Sequence, residues 1–211
     1  MTENRDEKLN QEWQERWDGS EQSERLTLLG KQMFKAKQRV IAAALQGLEV
    51  KSVLEAGCGL GHTLQVYQQL GLTASGIDIS PAAVAVCCNK GLKAEVKALA
   101  EVQQQYDLVS SDGMLEHFLH FEPYAVEIMQ ASRRYVLLIQ PNHGSLVGKT
   151  LAFLAELLRG DENVFEYNYR IKDFVAVFAR HDFVLRQSLP IFMDVFRLLL
   201  FERSAQSGNP A

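Results

Sequence analysis

At 211 residues, of which 47% are hydrophobic, the chain has enough apolar content for one sizeable core, which predicts a single domain with attached segments. A formal net charge of -4 argues against a broad electrostatic grip on a polyanion, so no nucleic-acid partner is expected. Three cysteines, Cys58, Cys87 and Cys88, form neither a disulfide framework nor a CxxC zinc pair, and predict a reducing, cytoplasmic setting.

Residues 1–30 are rich in Glu, Gln, Lys and Arg and lack the apolar stretch of a secretory signal, so no export is expected. The apolar run from Phe192 to Phe201 is broken by Asp194 and Arg197 and is far shorter than the roughly 20 residues that cross a bilayer; stable membrane insertion is not expected. Leu9, Trp13 and Trp17 fall at i, i+4 and i+8 and predict a short amphipathic helix. It serves either to anchor an N-terminal helical segment, residues 1–47, to the core or as a lid over a bound ligand.

From Met33 to Leu48 apolar residues recur with helical spacing, and Gly47 supplies a stop. Lys51–Ala56 is a buried strand, Gly61–Leu70 a helix stopped by Gly71, and Leu72–Ile79 the next strand, which together make one βαβ unit. Ser80 and Pro81 are an N-cap and a first helical position, and the helix they open ends near Gly91. A weaker third strand over Leu92–Ala98, a fourth over Tyr106–Ser111, a helix over Glu122–Ser132 and a fifth strand over Tyr135–Gln140 follow. Such alternation predicts a mostly parallel sheet covered on both faces. After Pro141 an apolar helix through Leu146 and Leu158 and a polar, aromatic stretch to Arg170 read as an insertion at about residues 143–170. A helix over Ile171–Arg180, a strand over Phe183–Leu189 and a last strand over Met193–Phe201 complete the domain, residues 48–203. The short link before that last strand predicts antiparallel pairing with its predecessor, and residues 204–211 form a loose tail.

Gly57 and Gly59 follow the first strand and let main-chain groups approach a ligand. Their spacing discriminates among ligands. Gly61 comes one residue too early for the GxGxxG dinucleotide fingerprint, which counts against a nicotinamide-dependent oxidoreductase, and no GxxxxGK[ST] run is present to cradle a triphosphate. Glu55 at the mouth of the turn would repel a pyrophosphate but suits a cationic cofactor. Asp78, 23 residues further on at the end of the second strand, can accept hydrogen bonds from both hydroxyls of a ribose.

VLEAGCGLGH at these positions resembles the first motif of the class I S-adenosylmethionine-dependent methyltransferases, an acidic residue followed by GxGxG. GIDIS, YDLVSSDGMLEHF, YVLLIQPN and RIKDFVAVFARHDFVL are similar to that family's later motifs in the same order, over about residues 50–203. The likeness is to the small-molecule, ubiquinone-biosynthesis-like type. It implies a Rossmann-like α/β fold with a seven-stranded sheet of order 3-2-1-4-5-7-6, strand 7 antiparallel, and S-adenosyl-L-methionine at the carboxyl ends of strands 1, 2 and 4. It further implies that Gly57 and Gly59 meet the methionine portion, Glu55 positions its amino group, Asp78 holds the ribose, Ile79 packs on adenine and Asp112 lines the site. One departure stands out: many family members carry an acidic residue just after strand 3 for the adenine amino group, and this chain has Lys97, which cannot accept that bond. Either a backbone carbonyl or Glu101 substitutes, or adenine recognition is weaker.

The implied activity is methyl transfer to a small-molecule acceptor; a non-catalytic S-adenosylmethionine-binding regulatory module is the alternative, motivated by Lys97. The catalytic residue is unassigned, with His117, His143 and Tyr167 as candidates, the last two in the insertion where loops carry function. Cys58 is expected to pack, since no His and Asp arrangement accompanies it as a nucleophile. His117 and His120, three apart, would share a helical face, but no third ligand accompanies them and no metal is expected. The acceptor and the oligomeric state stay open at this level.

Overall fold

The computed structural model describes residues 28–145 and 167–204. The expected helix at Leu9, Trp13 and Trp17, the helix through Leu146 and Leu158, and the tail lie outside the described residues. Within them the chain runs α1 (Leu28–Leu45), β1 (Ser52–Ala56), α2 (His62–Gln69), β2 (Thr73–Asp78), α3 (Pro81–Asn89), β3 (Ala94–Val96), β4 (Tyr106–Asp112), α4 (Glu122–Ala131), β5 (Ser132–Pro141), α5 (Ile171–Arg180), β6 (Phe183–Ile191) and β7 (Phe196–Arg203). The seven strands form one sheet of order β3-β2-β1-β4-β5-β7-β6. All neighbours from β3 to β5 pair in parallel, whereas β7 is antiparallel to both β5 and β6.

Side-chain alternation along the central strands divides the core between the two faces of the sheet. Leu54 and Ala56 of β1, Val136 and Leu138 of β5, and Leu199 and Phe201 of β7 face Ile128 of α4 and Phe174 and Phe178 of α5. Val53, Leu137, Ile139, Leu198 and Leu200 face the other way, onto Ile41 and Ala44 of α1 and Val66 and Tyr67 of α2. Tyr67 is fully buried and its hydroxyl donates to Ser110 Oγ at 2.7 Å, which ties α2 to the strand beneath it. Ser80 caps α3 as the sequence predicts, its Oγ accepting the Ala83 amide at 3.3 Å with Pro81 in the first turn.

Three expectations need correcting. The last strand starts at Phe196 rather than Met193, because Phe192, Met193 and Asp194 all have positive φ (45°, 56° and 64°) and make the hairpin loop. Arg197 locks that loop through paired bonds to Asp194, the shorter 2.7 Å, so two polar residues that interrupt the apolar run are the ones that close the turn. The third strand shrinks to Ala94–Val96, the sheet's parallel edge, where only β2 supplies partners. Finally, Leu115–His117 is a single 3₁₀ turn and Phe118 is already extended, so His117 and His120 share no helical face.

Phe178 of α5 stacks on Phe201 of β7 with ring centroids 4.2 Å apart and meets Phe183 of β6 edge-on at 6.1 Å. It holds the helix against the antiparallel end of the sheet. Truncation by Phe178→Ala is expected to cost about 3–5 kcal/mol of unfolding free energy; urea denaturation measures it.

Candidate active site

The sheet order reverses between β1 and β4: the chain leaves β1 for β2 on one side and reaches β4 on the other. In open α/β sheets that reversal leaves a crevice at the carboxyl ends of the strands. Here a cleft of about 440 Å³ opens at that place, and the ends of β1, β2 and β4 bring Glu55, Asp78 and Asp112 to its wall.

The turn after β1 is shaped by backbone freedom. Gly57 has φ 68° and Gly59 φ 48°, and a Cβ at Gly57 would stand 2.9 Å from Met114 Sδ. A side chain there would be strained and would collide with the loop after β4. The Gly59 amide donates to Asp78 Oδ2 at 2.8 Å and the Ser80 amide to Asp78 Oδ1 at 2.9 Å, so the acid at the end of β2 clamps the glycine turn while lining the cleft. Burial raises the Asp78 pKa, and the amides of Ser80, Gly59 and Ile79 oppose that rise. Cys58 packs between the glycines: its Sγ lies where a side chain at position 76 would stand, and Cys87 Sγ contacts the Gly59 carbonyl at 3.1 Å.

Glu55 is the most deeply buried carboxylate of the cleft. It is 2% exposed, and its Oε2 has no hydrogen-bond partner. Burial pushes its carboxyl pKa well above the ordinary carboxylate range, the neighbouring Asp112 adds to the rise, and Lys37 opposes it. Lys37, on α1, donates to Asp112 Oδ2 at 2.5 Å, and the Thr63 hydroxyl donates to the same oxygen at 2.6 Å. Four carboxylates and two lysines line the cleft, Glu127 and Lys97 completing the set. Lys37 was invisible to a reading of α1 by its apolar spacing alone; a cation on the polar side of a helix carries no local sign of a partner 75 residues away.

Glu55, Gly57, Gly59, Asp78, Ile79, Asp112 and His117 all lie in the wall of this one cleft. His117 is buried in the 3₁₀ turn that follows β4. His143 and Tyr167 are not part of that wall. His143 lies in a turn after β5, and Tyr167 supports the loop from behind, its amide bonded to the Glu116 carbonyl at 2.8 Å. Tyr169 completes this support, its hydroxyl lying 2.9 Å and 2.6 Å from the carbonyl oxygens of Phe118 and Leu119. Glu101, the expected substitute for the missing acid after β3, is outside the wall, because its carboxylate accepts the Ala98 amide at 2.8 Å within its own turn. Among the described residues no group of three or more His, Cys, Asp and Glu side chains could hold a metal ion, and no helix is long and apolar enough to cross a membrane.

A parallel sheet extended by an antiparallel β7 hairpin, with a glycine turn and acidic strand ends around one cleft, defines the class I methyltransferase fold. The family model described as "Methyltransferase domain" matches residues 29–185, and the chain belongs to that family. Among curated proteins it is similar to the ubiquinone biosynthesis O-methyltransferase of Pseudomonas fluorescens, 38% identical in an alignment of length 81 that covers 34% of this chain and 35% of that relative. The similarity thus spans about a third of the relative's length. Among solved structures, magnesium protoporphyrin IX methyltransferase from Synechocystis PCC 6803 with bound SAH superposes with a TM-score of 0.69 at 19% identity, over 90% of this chain and 94% of that one. Mitomycin 7-O-methyltransferase gives 0.65 at 17% identity, over 83% and 55%. Identities this low speak for the shared fold.

The raised pKa of Glu55 has a signed consequence. Between the ordinary carboxylate pKa and the higher native one, the native state holds a proton that the unfolded chain has released, so stability falls as pH rises through that window and the whole loss is present above it. Glu55→Gln keeps the shape without the charge. It is expected to raise the melting temperature of ligand-free protein at pH 8 and to flatten the fall between pH 5 and 8, as read by thermal melts across that range.

Proposed function

We propose that the chain binds S-adenosyl-L-methionine in the cleft and transfers its methyl group to a small-molecule acceptor. The observation that carries this reading is the buried Glu55 carboxylate with an unpartnered oxygen beside the glycine turn. A lone carboxylate held out of water is costly unless a positive group meets it. The α-ammonium of the cofactor's methionine portion is such a group and donates the missing hydrogen bonds.

The other residues distribute around that anchor. Lys37 supplies the positive charge for the methionine carboxylate, exchanging part of its contact with Asp112 for it. Asp78 retains acceptor capacity beyond its two amide contacts and takes the ribose hydroxyls. The glycine turn leaves room for the sulfonium against main-chain atoms. When bound, the cofactor would supply an electrophilic methyl carbon to an acceptor lone pair, with the sulfonium sulfur as the leaving group in the form of a neutral thioether. The protein's part is chiefly to hold donor and acceptor in line and to exclude water. For a hydroxyl acceptor, His117, buried in the cleft wall, is the candidate base for its proton.

The departure at Lys97 favours the alternative of a non-catalytic binding module, yet Lys97 is engaged by Glu95 at 3.1 Å and leaves the acidic strand ends untouched. Hydroxyl acceptors are the first to test, since the Pseudomonas fluorescens relative is an O-methyltransferase of ubiquinone biosynthesis. The three free thiols accord with a cytoplasmic, reducing setting, and the acidic balance with a partner other than nucleic acid.

Isothermal calorimetry with S-adenosylmethionine and S-adenosylhomocysteine tests the reading. Both are expected to bind, NAD is not, and Asp78→Asn is expected to weaken binding about 10- to 100-fold through loss of charge-assisted hydrogen bonds. Absence of binding of either adenosyl compound by folded wild-type protein would overturn it.

A further inference from the structure

The cleft continues past Asp78 to a second wall made by Ile79, by the segment after β3 and by α4, through Tyr124 and Glu127. α4 packs against the turn at Leu99–Glu101, which brings the helix and that segment to the same end of the cleft. A cofactor with its amino acid at Glu55 and Lys37 and its ribose at Asp78 has to lay its base along this wall. Ile79, Leu99 and Ala100 there offer apolar contact to the faces of a purine.

What that wall lacks is an acid from the β3 side. Glu95 lies outside the cleft wall and pairs with Lys97, and Glu101 caps its own turn. Of the four carboxylates that line the cleft, Asp112 is engaged by Lys37 and Thr63, Asp78 by two amides, and Glu55 is buried at the end of β1 with Asp112 and Lys37 as its charged neighbours. Glu127 is the fourth. It has no hydrogen-bond or ion-pair partner among the described residues, and partial burial alone raises its pKa. A half-buried acceptor without a donor, in a cleft wall it shares with Ile79, Leu99 and Ala100, is suited to an N–H group of the ligand.

We propose that Glu127 on α4 accepts the 6-amino group of the cofactor's adenine, taking the part that an acid after β3 would otherwise play. This rests on the adenosyl-cofactor reading given above. A carboxylate only accepts, so it favours the 6-amino group of adenine and opposes the 6-carbonyl of hypoxanthine, where two acceptors would face each other. The wall is therefore selective for adenine and does more than stack the base.

The experiment compares S-adenosylhomocysteine with S-inosylhomocysteine on wild-type protein, Glu127→Ala and Glu127→Gln, by calorimetry at pH 8. Wild-type protein is expected to prefer the adenosyl compound about 10- to 100-fold, the span of a hydrogen bond to a charged group. Glu127→Ala should bring that preference to within about three-fold by weakening the adenosyl compound. Glu127→Gln is near isosteric, so its folding is not at issue; it can turn either its oxygen or its NH2 to the base and should accept both compounds almost equally. Retention of the full preference by Glu127→Ala overturns the assignment, as does a wild-type protein that binds both compounds equally, while each leaves the cofactor reading standing. A fall in turnover with the preference intact places Glu127 on the acceptor side and also overturns it. Wild-type protein that binds neither compound removes the cofactor reading, and the assignment with it.

Discussion

A carboxylate buried at the end of the central strand sets the terms for the rest of the cleft. Glu55 has lost its water and faces Asp112, a second negative group, so the ligand-free state is electrostatically strained. Lys37 relieves part of that strain from α1, and the remaining oxygen without a partner turns the site into a receptor for a cation. The stability sacrificed in burying the acid is the quantity that a positively charged ligand would recover on binding.

The sheet provides the geometry that makes such a cluster possible. Parallel strands all finish at one edge, so β1, β2 and β4 deliver their terminal acids to a common place although these are far apart in the chain. The glycine turn, clamped by Asp78, keeps main-chain atoms close to that place. Behind the loop after β4, Tyr167 and Tyr169 bond to backbone carbonyls of residues 116–119, so the chain returning to α5 buttresses the segment that carries His117. Residues from the two ends of the domain thus meet around one cleft, α1 from one side and this return segment from behind.

Much of this architecture was legible in the sequence because strand and helix periods, caps and glycine stops are local signals. The βαβ alternation, the Ser80 cap and α5 over Ile171–Arg180 needed only neighbouring residues. The hairpin before β7 is not legible in the sequence because Met193 is apolar and extends the run, while the positive φ values that end it arise from the tight reversal between two paired strands. Lys37 and Glu127 are illegible in the sequence for another reason. Lys37 sits among other polar residues of α1 and Glu127 between Val126 and Ile128 of α4, and nothing within a few residues distinguishes a side chain that faces solvent from one that faces a cleft. Glu101 stands after β3, where the sequence leads one to expect an acid for the ligand, yet a three-residue turn claims its carboxylate.

From residue order alone came the layered α/β class, the strand sequence, the glycine turn whose spacing disfavours a dinucleotide, and the acids at the strand ends. These follow from backbone propensity, side-chain period and the conformational licence of glycine, all of which act over a few residues. Only the tertiary structure decided which charges meet: that Lys37 reaches Asp112, that Glu55 keeps an oxygen without a partner, that Glu101 is withdrawn and Glu127 is presented. Electrostatic pairing and desolvation depend on distance and burial through space, and those are set when the helices pack on the sheet.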